Sequence, residues 1–383
     1  MKNVFLVFGG ESYEHDISVV TAAQIFNKSS LDDINIVPIY VSRENDFFVY
    51  NANKIDVKDF SVSNFNKQSK KFKEVAFVSG EYGKLFLKTR WGLKEYLQCD
   101  IALFACHGAD GENGKLETFF EKHGVFSSAG SDLALAISMN KFLFKKLMIG
   151  IKVPVVKGFL IDKKIYFKQP ERYQFYIRFM KFPVVLKSNN GGSSIGLFVA
   201  KNRVEFDEKL KESFEFDDEV LVENYISKTR EFNVAVLGDK SDFVVSEIDE
   251  PLKENDVLTF ADKYLSCAGK QKGTKLNSMV SQDRKIPADI PITLERKIKK
   301  IAGCIFEKLN FRGIVRIDFL FDEKNNKLYT CEVNAIPGSL SYYFFDKFLI
   351  KTDDLIKKLV QVAEKAKENK LKINKDFQTN VLD

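Results

Sequence analysis

Two short stretches near the C-terminal end carry polar side chains at strand spacing. In "VRIDF", Arg316 and Asp318 are separated by one residue, as are Glu332 and Asn334 in "CEVNA". Alternate side chains of a strand face the same side, so each pair projects together from an otherwise apolar segment. Burying such groups unpaired costs about 2–7 kcal/mol for a neutral polar group and more for a charge. Two arrangements satisfy them. One is a buried ion pair between Arg316 and the carboxylates. The other is a divalent cation held by Asp318, Glu332 and Asn334, and an all-oxygen set without His or Cys suits Mg2+ or Mn2+ but not Zn2+.

A carboxylate-held Mg2+ normally meets phosphate oxygens, and a phosphate-binding element stands upstream in "VVLKSNNGGSSIGLFV", Val184 to Val199. Glycine lets a backbone approach phosphate closely because no side chain intervenes. The G-x-x-x-x-G-K-[ST] pattern is not met, since Lys187 precedes the glycines. The dinucleotide fingerprint is not met either, since "SIGLFVA" reads as a strand and not a helix. What remains is a glycine loop between two strands, either an ordinary flexible hairpin or a lid. With the carboxylates, loop and lysine fit one side of a triphosphate and metal ligands the other.

These groups need a scaffold to hold them. "VFLVFGG", "INIVPIYVS" and "CDIALFACHG" read as strands, with "HDISVVTAAQIFNKS" as an amphipathic helix after the first. Strands alternating with helices predict an α/β fold with a parallel sheet and function at the carboxyl ends of the strands. Between Arg43 and Gln98 lies a more irregular excursion with short hairpins. A second unit starts near Met139, where "ISMNKFLFKKLMIGIKVP" reads as one helix ending at Gly150 and Pro154. It continues through short strands and a helix from Val204 to Phe214, with the glycine loop at its tip. A third unit opens at "TREFNVAVLG" and holds the two polar strands, a helix on "LERKIKKIAGCIFEKL" and a final helix over Asp353–Lys367. The long polar stretch from Asp249 to Asp289 reads as a second lid.

At 383 residues, 45% apolar and 29% charged, the chain has the composition of a globular protein with several packed units. A net charge of +6, with lysines and acids interspersed, does not indicate a nucleic-acid surface. The 36 Phe residues, against one Trp, read as compositional bias spread at ordinary core spacing. Five cysteines without a C-x-x-C pair point to free thiols in a reducing compartment, so a cytoplasmic location is expected. "MKNVFLVFGG" reads as a first strand and not a signal peptide. No uninterrupted apolar run reaches about 18 residues, so no membrane span is expected.

The motifs, taken in order, resemble those of the D-alanine–D-alanine ligase family, which has the ATP-grasp fold. "GGESYEHDIS" resembles the family's GG-x-S-x-E-x-x-[VI]-S, and "HGADGENGKLE" its HG-x-x-GEDG-x-[LI]-Q. "SMNK" resembles the segment with the first phosphate lysine and "KSNNGGSSIG" the lid. "EFNVAVLG", "DKYL" and "IPADIP" resemble the ribose strand and the ω-loop, and "RIDF" and "EVNAIPGSLS" the metal strands and the substrate loop. The similarity runs from the first strand to about Phe348.

The resemblance implies an N-terminal substrate-binding α/β domain over residues 1–138. A central ATP-grasp subdomain with the lid follows over 139–227, and a C-terminal one with ω-loop and metal site over 228–383. It implies ATP and two Mg2+ or Mn2+ ions as cofactors, D-alanine as substrate, and a homodimer without nucleic-acid or membrane partners. Lys141 and Lys187 would bind the nucleotide phosphates, and Ser194 and Lys263 would also belong to the ATP-binding set. Glu223, Tyr225 and Ile226 would hold adenine between Leu320 and Cys331, with Glu231 on the ribose. Glu14 would bind the ammonium of the first D-alanine, linked to Ser193 and Tyr264, and His107 would also be substrate-binding. Arg316 and the Gly338 N–H would form an oxyanion hole, Ser341 would bind the second carboxylate, and Asp318, Glu332 and Asn334 the metal.

Each has an ordinary alternative. Glu14 suits a helix N-terminus, His107 a turn, Lys141 a solvated helix face and Tyr264 a packed surface loop. The sequence also departs from the family pattern. Ser188 follows the lid lysine where proline is usual, Asn113 replaces the second acid of the HG motif, and Glu117 replaces Gln. In the substrate loop, against N-T-x-P-G-x-T-x-x-S-x-x-P, Ala335 replaces Thr and Asp346 the terminal Pro. The expected reaction joins two D-alanines for peptidoglycan synthesis through an acyl phosphate. Alternatives are the same reaction with D-serine, D-lactate or another amino acid as acceptor, or a degenerate protein that only binds ATP.

Overall fold

The computed structural model describes residues 1–193, 195–252, 284–348 and 350–373. Strands β1 (Lys2–Gly9), β2 (Ile34–Val41), β3 (Phe47–Tyr50), β4 (Phe72–Phe77), β5 (Lys84–Thr89), β6 (Gly92–Gln98), β7 (Ile101–Phe104) and β8 (Phe126–Ser127) form one sheet. Its order is β6-β5-β4-β3-β2-β1-β7-β8. The β2-β1-β7-β8 half is parallel, as expected. The Arg43–Gln98 excursion is not separate. It supplies β3 to β6 as an antiparallel continuation of the same sheet; the β2–β3, β4–β5 and β5–β6 connections are too short for a crossover, and the longer one between β3 and β4 also returns antiparallel.

Much of the phenylalanine has a local purpose there. Tyr40 packs 4.9 Å from Phe60, and Phe65 5.0 Å from Phe72, in an aromatic cluster beneath the excursion. The expectation of simple compositional bias therefore misses a dedicated core. Helix α1 (His15–Lys28) follows β1 and presents Glu14 at its N-terminal boundary. Helix α2 (Lys115–Lys122) precedes β8.

The single helix predicted from Ile137 onward is instead split between two, α3 (Asp132–Met139) and α4 (Lys141–Gly150). Asn140 breaks it: its backbone is extended, and its Oδ1 accepts the Leu143 N–H at 2.9 Å, a side-chain N-cap. Next, β9 (Gly158–Asp162), β10 (Val184–Ser188), β11 (Phe198–Ala200) and β12 (Glu219–Asn224) form an antiparallel sheet ordered β11-β10-β12-β9. The glycine loop is the β10–β11 hairpin connection. Helix α7 (Arg203–Ser213) backs this sheet as expected. The short helices α5 (Lys163–Lys168) and α6 (Glu171–Arg178) were not expected. The unit has its own core, centred on Leu186, Phe206, Leu210 and Val220.

The third sheet orders β15 (Arg284–Lys285), β14 (Asp242–Pro251), β13 (Thr229–Asp239), β16 (Gly313–Asp322) and β17 (Lys327–Asn334), all antiparallel. Helix Ile292–Lys308 covers it through Ile298, Ala302, Ile305 and Phe306. The final helix, Thr352–Leu371, packs on both the first and third sheets, and these share one continuous apolar core. The buried pair Arg312 Nη2–Glu117 Oε1, 2.6 Å apart, ties them further, which gives Glu117 a charge-bearing role in place of the family's Gln. Among the described residues, no helix is long and apolar enough to cross a membrane.

Candidate active site

A cleft of about 940 Å3 lies between the second and third sheets. Lys187 on β10 and Glu223 on β12 face each other across neighbouring strands, with Nζ 2.8 Å from Oε2. Lys145, from the next helical turn after Lys141, also pairs with the Glu223 carboxylate. Burial alone would raise that carboxyl, but the two ammonium groups outweigh it and hold it down to about 2. The cleft walls include Tyr225, Ile226, Leu320 and Cys331, whose thiol burial pushes up to about 12. Glu231 also lines it.

The lid is pinned at its base. Asn189 Nδ2 donates to Glu219 Oε2 at 2.8 Å, and the Asn190 N–H to Asp217 Oδ2 at 2.7 Å. Ser188, standing where proline is usual, donates to the same Asp217 oxygen at 3.1 Å. The Lys141 N–H donates to the Asn189 carbonyl at 3.0 Å, so the break at Asn140 seats α4 against the lid. Lys141 Nζ donates to the Gly191 carbonyl and lies 3.9 Å from Glu332 Oε2. Burial lowers its pKa, a shift Glu332 opposes. A Cβ on Gly192 would strike the Glu14 carboxylate, and Ser193 Oγ donates to Glu14 Oε1. Glycine there is what allows the lid to close on Glu14.

The polar strands meet in register, with Arg316 opposite Asn334 and Asp318 opposite Glu332. Arg316 forks onto Asp318 through Nε–Oδ1 and Nη2–Oδ2, both 2.8 Å, and Asn334 Nδ2 donates to Asp318 Oδ2 at 3.1 Å. Both readings of the sequence thus share one carboxylate. The ion pair is formed, and the three oxygen-bearing side chains of the metal set stand on one face of adjacent strands. Burial raises the Asp318 pKa against the pull of Arg316, which is what an anion awaiting more positive charge experiences. Among the described residues, no cluster of three or more His, Cys, Asp and Glu side chains could hold an ion, so the set depends on Asn334.

A second chamber, of about 750 Å3, shares the walls Glu231 and Glu332 with the cleft. Glu14, His107, Glu112, Arg316 and Gly338 line it. Gly108, at φ +69°, leaves no room for a Cβ beside Ser12 and Glu14, so the HG turn must be glycine. His107 Nε2 hydrogen-bonds Thr21 Oγ1 at 2.8 Å, and burial pushes its pKa down to about 4, so the ring is neutral. Glu112 accepts the Gly108 N–H at 2.7 Å and the Ile336 N–H at 3.2 Å, tying the HG turn to the substrate loop. Burial, then the Glu14 charge, push the Glu112 carboxyl up to about 8.

The substrate loop corrects one expectation. Ser339, Leu340 and Ser341 form a left-handed turn with φ of 53°, 45° and 47°. It is held by the Ser339 N–H on Thr21 Oγ1 at 3.1 Å and by Ser339 Oγ on Gln24 Oε1 at 2.5 Å. Ser341 is fully buried, its Oγ has no partner among the described residues, and it does not line the chamber. Counted from Asn334, the pattern's serine falls on Tyr343, which does line the chamber. The Arg284 guanidinium lies 4.6 Å from the centre of the Tyr343 ring, and its Nη1 is 3.3 Å from Asp249 Oδ2. Asn233 Nδ2 donates to the same oxygen at 3.4 Å, while burial pushes the Asp249 carboxyl up to about 6.

Glu14, Ser193 and His107 therefore gather with Arg316 and Gly338 at one chamber, and Lys141 and Lys187 with Glu223, Tyr225, Ile226, Leu320 and Cys331 at the adjoining cleft. Asp318, Glu332 and Asn334 stand beside the shared walls. Ser194, Lys263 and Tyr264 lie outside the described residues. Sequence reasoning missed Lys145, Glu112, Arg284 and Tyr343. Lys145 was signalled by its i+4 spacing from Lys141, and Glu112 by its place in the HG motif.

The family described as "D-ala D-ala ligase N-terminus" matches residues 3–127, and "D-ala D-ala ligase C-terminus" matches residues 147–361. The D-alanine–D-alanine ligase of Thermosipho melanesiensis is 34% identical over 386 residues, covering 100% of this chain and 98% of that protein. That of Caldicellulosiruptor bescii is 30% identical, covering 96% of each. Among solved structures, the Helicobacter pylori ligase has a TM-score of 0.71 at 26% identity, over 94% of this chain and 98% of that one. The Coxiella burnetii ligase has a TM-score of 0.77 at 20% identity, over 97% and 96%, a likeness of fold. Matches to both halves, in one order and over nearly the full length, make this chain a member of the D-alanine–D-alanine ligase family, with its ATP-grasp fold.

Proposed function

We propose that this chain joins two D-alanines with ATP, releasing ADP and phosphate and supplying the dipeptide for peptidoglycan. One observation carries the reading: a cleft bearing two buried lysines opens, across shared acidic walls, into a chamber bearing Glu14 and Arg316. A carboxylate is a poor acyl donor, so ATP first converts that of one D-alanine to an acyl phosphate. Lys141 and Lys187 bind and orient the phosphates, with Ser194 and Lys263 assisting, once Lys187 exchanges Glu223 for the nucleotide. Glu223, kept ionised by Lys145, accepts from the adenine amine, beside the backbone of Tyr225 and Ile226. Leu320 and Cys331 flank the ring, and Glu231 holds the ribose.

Glu14 takes the ammonium of the donor D-alanine, steadied by Ser193 and Tyr264, and neutral His107 supports the chamber wall. Asp318, Glu332 and Asn334 would hold the divalent ions, Mg2+ or Mn2+ and two per site, which supply charge neutralisation on the phosphates. The donor set fits such hard ions by its chemistry, and Arg316 must then share or release Asp318. Arg316 and the Gly338 N–H face the tetrahedral oxyanion formed when the second amine attacks; each such donor is typically worth about 3–4 kcal/mol. Closure of the lid on Glu14 keeps water from the acyl phosphate.

In the same reading, residues 1–138, 139–227 and 228–383 are the working domains of a cytoplasmic homodimer. Tyr343 at the position of the family's serine favours a second possibility, the same chemistry with D-serine, D-lactate or another acceptor. A D-Ala:D-Ser ligase from Enterococcus faecalis shares the fold, with a TM-score of 0.75 at 22% identity over 94% of this chain and 99% of that one. The test is ADP release with ATP, Mg2+ and each D-amino or D-hydroxy acid, alone and paired, with products identified by mass. Turnover with D-alanine alone is expected. Turnover only with a mixed pair moves the specificity, and ATP binding without turnover by any pair would sink the ligase reading.

A further inference from the structure

We propose that Arg284, seated over the Tyr343 ring, is the cation that receives the acceptor's carboxylate in this chain. The inference rests on the ligase reading above and concerns the end of the chamber where the sequence leaves the family pattern. An acceptor amino acid is a zwitterion. Its amine must face the acyl carbon, so its carboxylate points away and needs a fixed cation at the far side. The pattern supplies a serine hydroxyl there, but this chain has Tyr343 instead, and Ser341 is withdrawn into the protein.

Among the described residues lining the chamber, the cationic side chains are Arg284 and Arg316. Arg316 is forked onto Asp318 beside the shared walls, on the side of the transferring phosphate. Arg284 stands on β15 next to β14, its side chain largely buried. A guanidinium has five donors in a planar fork. It can therefore keep Asp249 and lie over the aromatic ring while presenting further N–H groups to a carboxylate. Asn233 holds Asp249, and Asp249 orients Arg284. The chamber thus has an anion, Glu14, for a donor ammonium and a cation, Arg284, for an acceptor carboxylate. That arrangement takes acceptors with a free carboxylate and excludes their amides and esters.

The experiment is an internal competition. The full-length protein receives ATP, Mg2+, D-alanine and D-alaninamide, which can serve only as acceptor, and the two products are counted by mass. The wild type is expected to favour the free acid strongly. In Arg284→Met the acid-to-amide ratio should fall by about 10–100-fold, the effect of removing a charge-assisted contact. Arg284→Lys should restore part of the discrimination, and ATP-dependent thermal stabilisation should persist in both variants. Turnover by Arg284→Met with an unchanged ratio would overturn the proposal. If that variant fails to fold, Arg284→Lys decides alone, because loss of the fork must lower the ratio several-fold. Absence of both products from the wild type would instead sink the ligase reading.

Discussion

The cleft proposed for the nucleotide and the chamber proposed for the substrates are neighbours with opposite electrostatic economies. In the cleft, cations stand against the anions they would exchange on loading: Lys187 on Glu223, Lys141 near Glu332, and, at the shared edge, Arg316 on Asp318. The chamber instead leaves its acids crowded. Glu14 and Glu112 lie together, and burial with mutual repulsion lifts the Glu112 carboxyl to about 8. The cleft departs from the family pattern at Ser188, whereas the loop that brings Tyr343 to the chamber departs from it at several positions. Binding a nucleotide is a task fixed by the nucleotide, and the site for it is built from paired charge. Choosing an acceptor is a task that can differ between relatives, and there the loop has been rebuilt.

The strongest way to break this contrast is at the shared edge. Arg316→Met removes the proposed oxyanion donor and is expected to lower ADP release by about 100–1000-fold. ATP-dependent thermal stabilisation should survive, since Lys141 and Lys187 remain. Loss of nucleotide binding along with turnover would show that Arg316 belongs to the cleft. Within the cleft, Lys145→Met leaves Glu223 with Lys187 as its remaining paired cation. Breaking a buried pair outright costs about 3–5 kcal/mol. The surviving partner should reduce that loss to about 2–3 kcal/mol, read by denaturant unfolding. The ATP KM should rise while the D-alanine KM stays put. A change in the D-alanine KM alone would break the assignment of Lys145 to the nucleotide.

A pH titration separates core from site. His15 is buried against Tyr40, with Nε2 3.2 Å from the hydroxyl, and burial with the Arg43 charge lowers its pKa from 6.5 to about 4, against Asp16. Because the folded pKa lies below the unfolded one, the unfolded chain binds the proton first as pH falls. Stability contributed by the neutral ring is complete above pH 6.5 and drains away toward pH 4. His15→Gln should flatten that limb by on the order of 2 kcal/mol, with solvent screening taken into account. An unaltered acid limb in the variant would assign the loss to other groups.

Legibility of the sequence followed the same divide. The meeting of the two polar strands could be read because period-2 spacing alone puts Arg316 with Asp318 and Glu332 with Asn334 on common faces, and the pairing of β16 with β17 then brings them together. The hairpin that carries the glycine loop could be read because β-branched apolar segments flank the glycines on both sides. Ser341 was misjudged because a serine near the expected place attracts the assignment. Only the loop's register and its left-handed turn, adopted by three non-glycine residues, show that the side chain turns inward. Arg284 and Tyr343 belong to separate parts of the chain, and no local pattern announces their contact. The antiparallel half of the first sheet was hidden for a related reason: the excursion's turns are weakly marked, and the connection from Tyr50 to Phe72 is too long to fix strand direction by its length.

The smallest expected effect concerns a departure inside the conservative region. Ser188 occupies the place of a proline at the foot of the lid and donates to Asp217 Oδ2, but the Asn190 N–H donates to the same oxygen at 2.7 Å. Asn189 anchors the loop separately through Glu219. Ser188→Ala therefore removes one of several tethers and should cost about 0.5–1.5 kcal/mol, the net value of a single hydrogen bond. The ATP KM should stay within about twofold, because Lys187 and the glycines are untouched. If the KM rises tenfold with little change in unfolding, Ser188 is what replaces proline's rigidity in positioning the lid. The cleft would then be as much rebuilt as the chamber, and the contrast between them would fail.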